Sequence, residues 1–121
     1  MGVNSTEVSY GFGQLGSVFN DGTGAITPPT GKVFVAITMM TDVTFDTSAG
    51  LSAANDTTSG IEYAGTDTAA HNLSVASETT SSGGGGVIVD VSNIFPKGIT
   101  IYGRWNKINP ATGTLLAYIG D

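Results

Sequence analysis

The sequence predicts an all-β fold, a small antiparallel β-sandwich or barrel, and three observations predict it. Short apolar runs with two-residue alternation recur along the chain, turn signals rich in Gly, Pro, Asn and Asp separate them, and no segment carries the 3.6-residue apolar repeat of an amphipathic helix. Charged residues make up 12% of the chain, against about 25% in an average soluble domain. Gly, Thr, Ser and Asn, all poor helix formers, fill the polar positions instead. The 121 residues suit one domain spanning 1–121, with a carboxyl-terminal meander and a Gly/Ser/Thr-rich middle region.

Taken in order, Ser17 to Gly22 reads as a strand running into a turn. The stretches Asn20-Asp21-Gly22-Thr23-Gly24 and Thr27-Pro28-Pro29-Thr30-Gly31 are turn-rich and bracket the entry to the clearest strand, Lys32 to Met40. In that strand Val33, Val35, Ile37 and Met39 alternate onto one face, and Phe34, Ala36 and Met40 occupy the other, which predicts burial on both sides. Thr41 to Asp46 either continues it past a bend or forms a separate short strand. From Ser48 to Gly86 the apolar residues Leu51, Ile61, Tyr63, Leu73 and Val75 are too sparse for long elements, and Gly83 to Gly86 has the composition of a flexible linker. Three strand candidates follow: Val87 to Val91, Ile99 to Ile108 and Thr114 to Ile119. The turns Ile94 to Gly98 and Asn109 to Gly113 separate them, so they are expected to form a meander. In the middle strand Ile99, Ile101, Gly103 and Trp105 share a face opposite Thr100, Tyr102, Arg104 and Asn106. The missing side chain at Gly103 makes room for Trp105 or another aromatic to lie across the sheet, or marks a bulge.

Charge and composition remove several classes of function from expectation. With a net charge of -6, affinity for nucleic acid through phosphate neutralisation is not expected, and the absence of cysteine removes disulfides, thiolate zinc sites and cysteine nucleophiles. Met1 to Thr6 carries neither a basic cluster nor an apolar run. Nothing downstream approaches the ~20 apolar residues of a membrane span, so neither export nor a membrane partner is expected. On that expectation the sequons at Asn4, Asn55 and Asn72 remain unmodified.

The candidate chemical motifs are weak. Gly11 to Gly16 matches G-x-G-x-x-G, yet a dinucleotide site needs a helix after it and Ser17 to Gly22 predicts a strand, so a glycine-shaped bend is expected and no cofactor. His71, the sole histidine, has no second strong ligand nearby in sequence and reads as a surface residue. Asp42 and Asp46 would lie ~13 Å apart on a strand, beyond the spacing of a glycosidase pair, and neither belongs to a calcium-loop pattern. No catalytic or metal residue is therefore assigned, and a non-enzymatic role is expected. Three of the four basic residues, Lys97, Arg104 and Lys107, fall in one stretch. With Tyr102 and Trp105 they have the composition of an interface hot spot, which makes Tyr102, Arg104, Trp105 and Lys107 the candidate protein-interface residues. Arg104 is suited to pair with a carboxylate of a neighbouring subunit. The competing reading makes Trp105 the core's one large aromatic and Arg104 an exposed cross-strand partner.

Three segments carry a family resemblance: Phe12 to Ser17, Pro28 to Ile37 and Gly98 to Trp105. They resemble short virion structural proteins of tailed phages infecting cyanobacteria and other aquatic bacteria, and Ser48 to Gly86 has no counterpart in that likeness. The resemblance implies a capsid decoration or cement protein on the outer surface of the head. Such a protein is made in the host cytoplasm, bound to the major capsid protein, and homo-oligomeric, with trimers at local symmetry axes. The alternative it leaves is a receptor-binding or adhesive module of a tail or head fibre, with the Ser/Thr/Asn/Gly-rich middle as recognition loops.

Overall fold

The computed structural model describes residues 15–22, 24–55, 63–66 and 88–121. These residues are all-β, with about 47% in strands and no helix. The elements are β1 (Ser17–Asn20), β2 (Val33–Met39), β3 (Thr44–Phe45), β4 (Leu51–Ala53), β5 (Thr100–Ile108), β6 (Pro110–Thr112) and β7 (Leu115–Gly120). Five of them form an antiparallel sheet in the order β1-β7-β2-β5-β4, and β3 pairs with β6 in a second, two-stranded sheet. The result has the sandwich-like character that the strand spacing predicts.

β2 takes the centre because it is the most apolar strand and needs cover on both faces. Its phase differs from simple alternation. Phe34 lies opposite Ile119 and Ala36 opposite Tyr118, so two residues of β2 span one step of β7 and Val35 is the extra residue of a bulge. Across the bulge the inward positions run Phe34, Ile37, Met39, and Phe34 joins the core from the face that alternation assigns to the other side. Gly120 makes the bulge possible: a Cβ there would come within 2.5 Å of a Val35 methyl carbon.

The core lies between the inner face of the large sheet and the β3–β6 ribbon. Phe34, Ile37, Met39, Trp105, Ile108, Leu115, Ala117 and Ile119 of the sheet meet Val43 and Phe45, with Leu51 and Ala53 closing the β4 side. Phe95 reaches in from the loop before β5 and packs edge-to-face on Phe45, with centroids 5.2 Å apart. Trp105 lies across the gap at Gly103, one of the readings the missing side chain left open, and its indole Nε1 donates to the Ala64 carbonyl at 2.7 Å.

Two features of the carboxyl-terminal third differ from expectation. The Val87 to Val91 strand is absent over residues 88–91. A backbone bond runs from Val89 N to Gly65 O at 2.9 Å, and Asp90 to Asn93 closes a turn in which Asn93 N donates to Asp90 O at 3.0 Å. Asn93 Oδ1 accepts from Asp90 N at 2.9 Å and Asp90 Oδ1 from Ser92 N at 2.9 Å, so short polar side chains take the backbone groups that a strand would use. The meander is also absent. β2 sits between β5 and β7, and the segment joining them, expected as a turn from Asn109 to Gly113, leaves the sheet to form β6 opposite β3. Pro110 is tolerated there because β6 is a short edge strand. Thr41 to Asp46 is a separate element, as one of its two readings held, with Val43 bridged to Phe95 and β3 behind it.

Candidate functional site

The outer face of the large sheet is the site the strand order builds. Residues directly opposite on antiparallel strands share a face, so the registers define two rows across four strands. Ser17, Tyr118, Ala36 and Tyr102 form one, and Phe19, Leu116, Thr38 and Thr100 the other. Neither row contains an acidic or basic side chain, on a chain whose net charge is -6. Phe19 is 60% exposed at the β1 end and Tyr102 65% at the β5 end. Between them Ala36, 1% exposed, sits between Tyr118 and Tyr102, and the Thr38 and Thr100 hydroxyls share a hydrogen bond of 2.8 Å. The face thus carries aromatic side chains at both ends and Tyr118 between them, with threonine hydroxyls along one row.

The charges stand at the rim. Arg104 Nη1 donates to the backbone oxygen of Asp121 at 2.6 Å, and Lys32 forms an ion pair with the Asp121 carboxylate. The guanidinium expected to reach a neighbouring subunit therefore has an acceptor in its own chain. Of the four residues singled out in the sequence, Tyr102 lies on the outer face and Arg104 on its rim. Lys107 is half-buried opposite Ser52 of β4, and Trp105, 1% exposed, belongs to the core. Trp105 is withdrawn from the contact surface, because β5 alternation points it inward over Gly103. Sequence reading missed Phe19, Leu116, Tyr118, Thr38 and Thr100. Two-residue alternation in each strand was their available signal, yet nothing in the sequence set β1 and β7 beside β2.

The two edges of the sheet differ. At β4, Thr66 N donates to Leu51 O at 2.8 Å and Thr66 Oγ1 accepts from Leu51 N at 2.9 Å, so the 63–66 segment covers that edge. At β1, Ile119 N donates to Gly16 O at 2.9 Å, which with the register makes Val18 and Asn20 the residues that exchange hydrogen bonds with β7. The N–H and C=O groups of Ser17 and Phe19 consequently point away from the sheet. Among the described residues no strand lies on that side. The Gly11 to Gly16 motif meets a strand, as expected, though residues 11–14 lie outside the described ones.

The acidic residues weighed for chemistry serve the loops. Asp42 Oδ1 accepts from Lys97 N at 2.9 Å and ties two loops distant in sequence, and Asp46 Oδ2 accepts from Ser48 N at 3.0 Å and fixes a local turn. Hydrogen bonds from the Ser92 hydroxyl and backbone hold the Asp90 carboxyl below the usual carboxylate range. No group of three His, Cys, Asp or Glu that could hold a metal occurs among the described residues, and His71 and Gly83 to Gly86 lie outside them. No described helix is long and apolar enough to cross a membrane. No family model, curated protein or solved structure matches this chain.

Proposed function

We propose that this chain is a non-enzymatic structural protein of a tailed-phage virion, a decoration or cement protein that binds the major capsid protein on the outer surface of the head. The observation that carries the reading is the uncharged outer face with Phe19 and Tyr102 exposed on it, because a sheet face of that kind on an acidic chain is suited to being covered. The strand order makes the face four strands wide, ~14 Å between the outer strand axes, a contact too small to bind tightly alone. Repetition over a shell multiplies such contacts, and gaps between capsomers filled this way resist internal pressure. In this reading the chain is made in the host cytoplasm, acts on the head surface, and has neither nucleic acid, membrane nor cofactor as partner.

The test is location and stoichiometry in purified virions. An antibody to the chain, read by immunogold electron microscopy, is expected to label the head, with quantitative mass spectrometry giving copies in proportion to the shell protein. A few copies at a tail or fibre tip would replace the proposal with a receptor-binding or adhesive module. Absence from virions would remove both.

A further inference from the structure

We infer that β1 is a self-pairing edge, through which two copies of this chain join antiparallel about a twofold axis and extend the five-stranded sheets into one continuous ten-stranded sheet. Hydrogen-bond phase sets the pairing. Ser17 and Phe19 carry the N–H and C=O groups that point away from β7, as the Ser17↔Tyr118 register and the Ile119 N to Gly16 O bond require. When β1 meets a second β1 antiparallel with Val18 opposite Val18, Ser17 of one copy falls opposite Phe19 of the other. Each of these two pairs exchanges two hydrogen bonds, so all four outward groups of each strand are satisfied. Val18 against Val18 then occupies the closely spaced, non-hydrogen-bonded position, which suits a β-branched pair.

The side chains agree with that register. Phe19 and Ser17 are on the same outer face, so each exposed phenyl ring lies beside a small serine of the other copy and does not collide with its equivalent. β1 is short, four residues, but lacks two of the features that block edge pairing: its sequence, Ser17-Val18-Phe19-Asn20, contains no charge and no proline. Charge selects the same patch. Two copies of net charge -6 repel each other, and contact is least costly where neither brings a carboxylate.

The other edge sets the symmetry. A ring of three joined through the sheet needs two different edges, one pairing with the other, and β4 is closed at Leu51 by Thr66 on both its N–H and its C=O. With β1 the one edge left open among the described residues, pairing is with its own copy, which is an isologous twofold contact. The threefold arrangement that the family resemblance implies is thus not one the sheet can build by edge pairing. This inference concerns the chain alone and stands or falls separately from any place in a virion.

The experiment is sedimentation equilibrium of the full chain over a range of concentrations, with amide hydrogen exchange on the same samples. The expected result is a monomer–dimer equilibrium and slowing of the Phe19 and Ser17 amides as concentration rises. The Phe19→Lys variant, at an exposed position whose change leaves the β1–β7 ladder intact, should shift the equilibrium to monomer with its thermal midpoint preserved. A wild-type chain monomeric at every concentration would overturn the inference. So would a Phe19→Lys chain as dimeric as wild type, or fast exchange at Ser17 and Phe19 in the associated state.

Discussion

At Gly103 the backbone is bare because the Trp105 indole occupies the space a side chain would take: a Cβ there would lie 2.7 Å from one ring carbon and 2.9 Å from another. Trp105 is wedged from both sides, since its Nε1 is tied to Ala64 and the ring cannot swing away without leaving that donor unpaired in the interior. Gly103→Ala is therefore expected to lower stability by ~1–3 kcal/mol, the range for forcing an extra carbon into a packed core. Urea denaturation followed by tryptophan fluorescence measures it, and an unchanged midpoint would mean that the ring is free to move. The alternation of β5 was legible in the sequence, and with it the indole as one of three readings of the missing side chain, beside another aromatic and a bulge. The hydrogen bond to Ala64 was not, because its partner is 41 residues away in a segment with little apolar content.

At the scale of elements, β4 is only three residues long, and its stability rests on what lies beyond it. Thr66, 2% exposed, is the buried polar residue among those described, and its hydroxyl accepts the Leu51 N–H that would otherwise face an empty edge. Thr66→Val keeps the shape and removes the acceptor. The expected cost is ~1–3 kcal/mol for an unsatisfied buried N–H, with the Leu51 amide exchanging faster. Equal exchange in both proteins would show the edge to be held by the Thr66 N–H alone. β2 carries the corresponding lesson for prediction. Its strand character and burial on both sides are read directly from nine residues, but the bulge at Val35 depends on the bare Cα of Gly120 on a different strand, so the face of Phe34 could not be assigned locally.

For the whole molecule, the pattern of charge separates surface into a rim with Lys32, Arg104 and Asp121 and a face with none. Association through the β1 edge, between copies that each carry a net charge of -6, is opposed by long-range repulsion. Salt shortens the reach of that repulsion from ~10 Å at 0.1 M to ~3 Å at 1 M. The dimer inferred through β1 should accordingly tighten as salt is raised, measured as a several-fold fall in the dissociation constant by sedimentation. Weakening with salt would indicate an ion-paired contact elsewhere on the surface. The virion reading adds a separate demand, that the remaining outer face, with Tyr102 at its far end, be covered by a shell protein.

The sequence by itself determined the all-β character that the described residues have, that Lys32 to Met40 and Ile99 to Ile108 are strands, and that Ser17 to Gly22 is strand then turn. Each of these follows from alternation or turn chemistry within a dozen residues. Only the tertiary structure decided the neighbours. β2 entered between β5 and β7 because the most apolar strand gains most from two flanking partners, and that choice dissolved the meander, sent residues 110–112 to a second sheet and left β1 as an open edge among the described residues. Such pairings join residues 60 to 80 positions apart, as Thr38 with Thr100 and Thr38 with Leu116, where no local propensity acts. The outer face is a product of that order: its residues come from four strands, and only pairing makes them one surface.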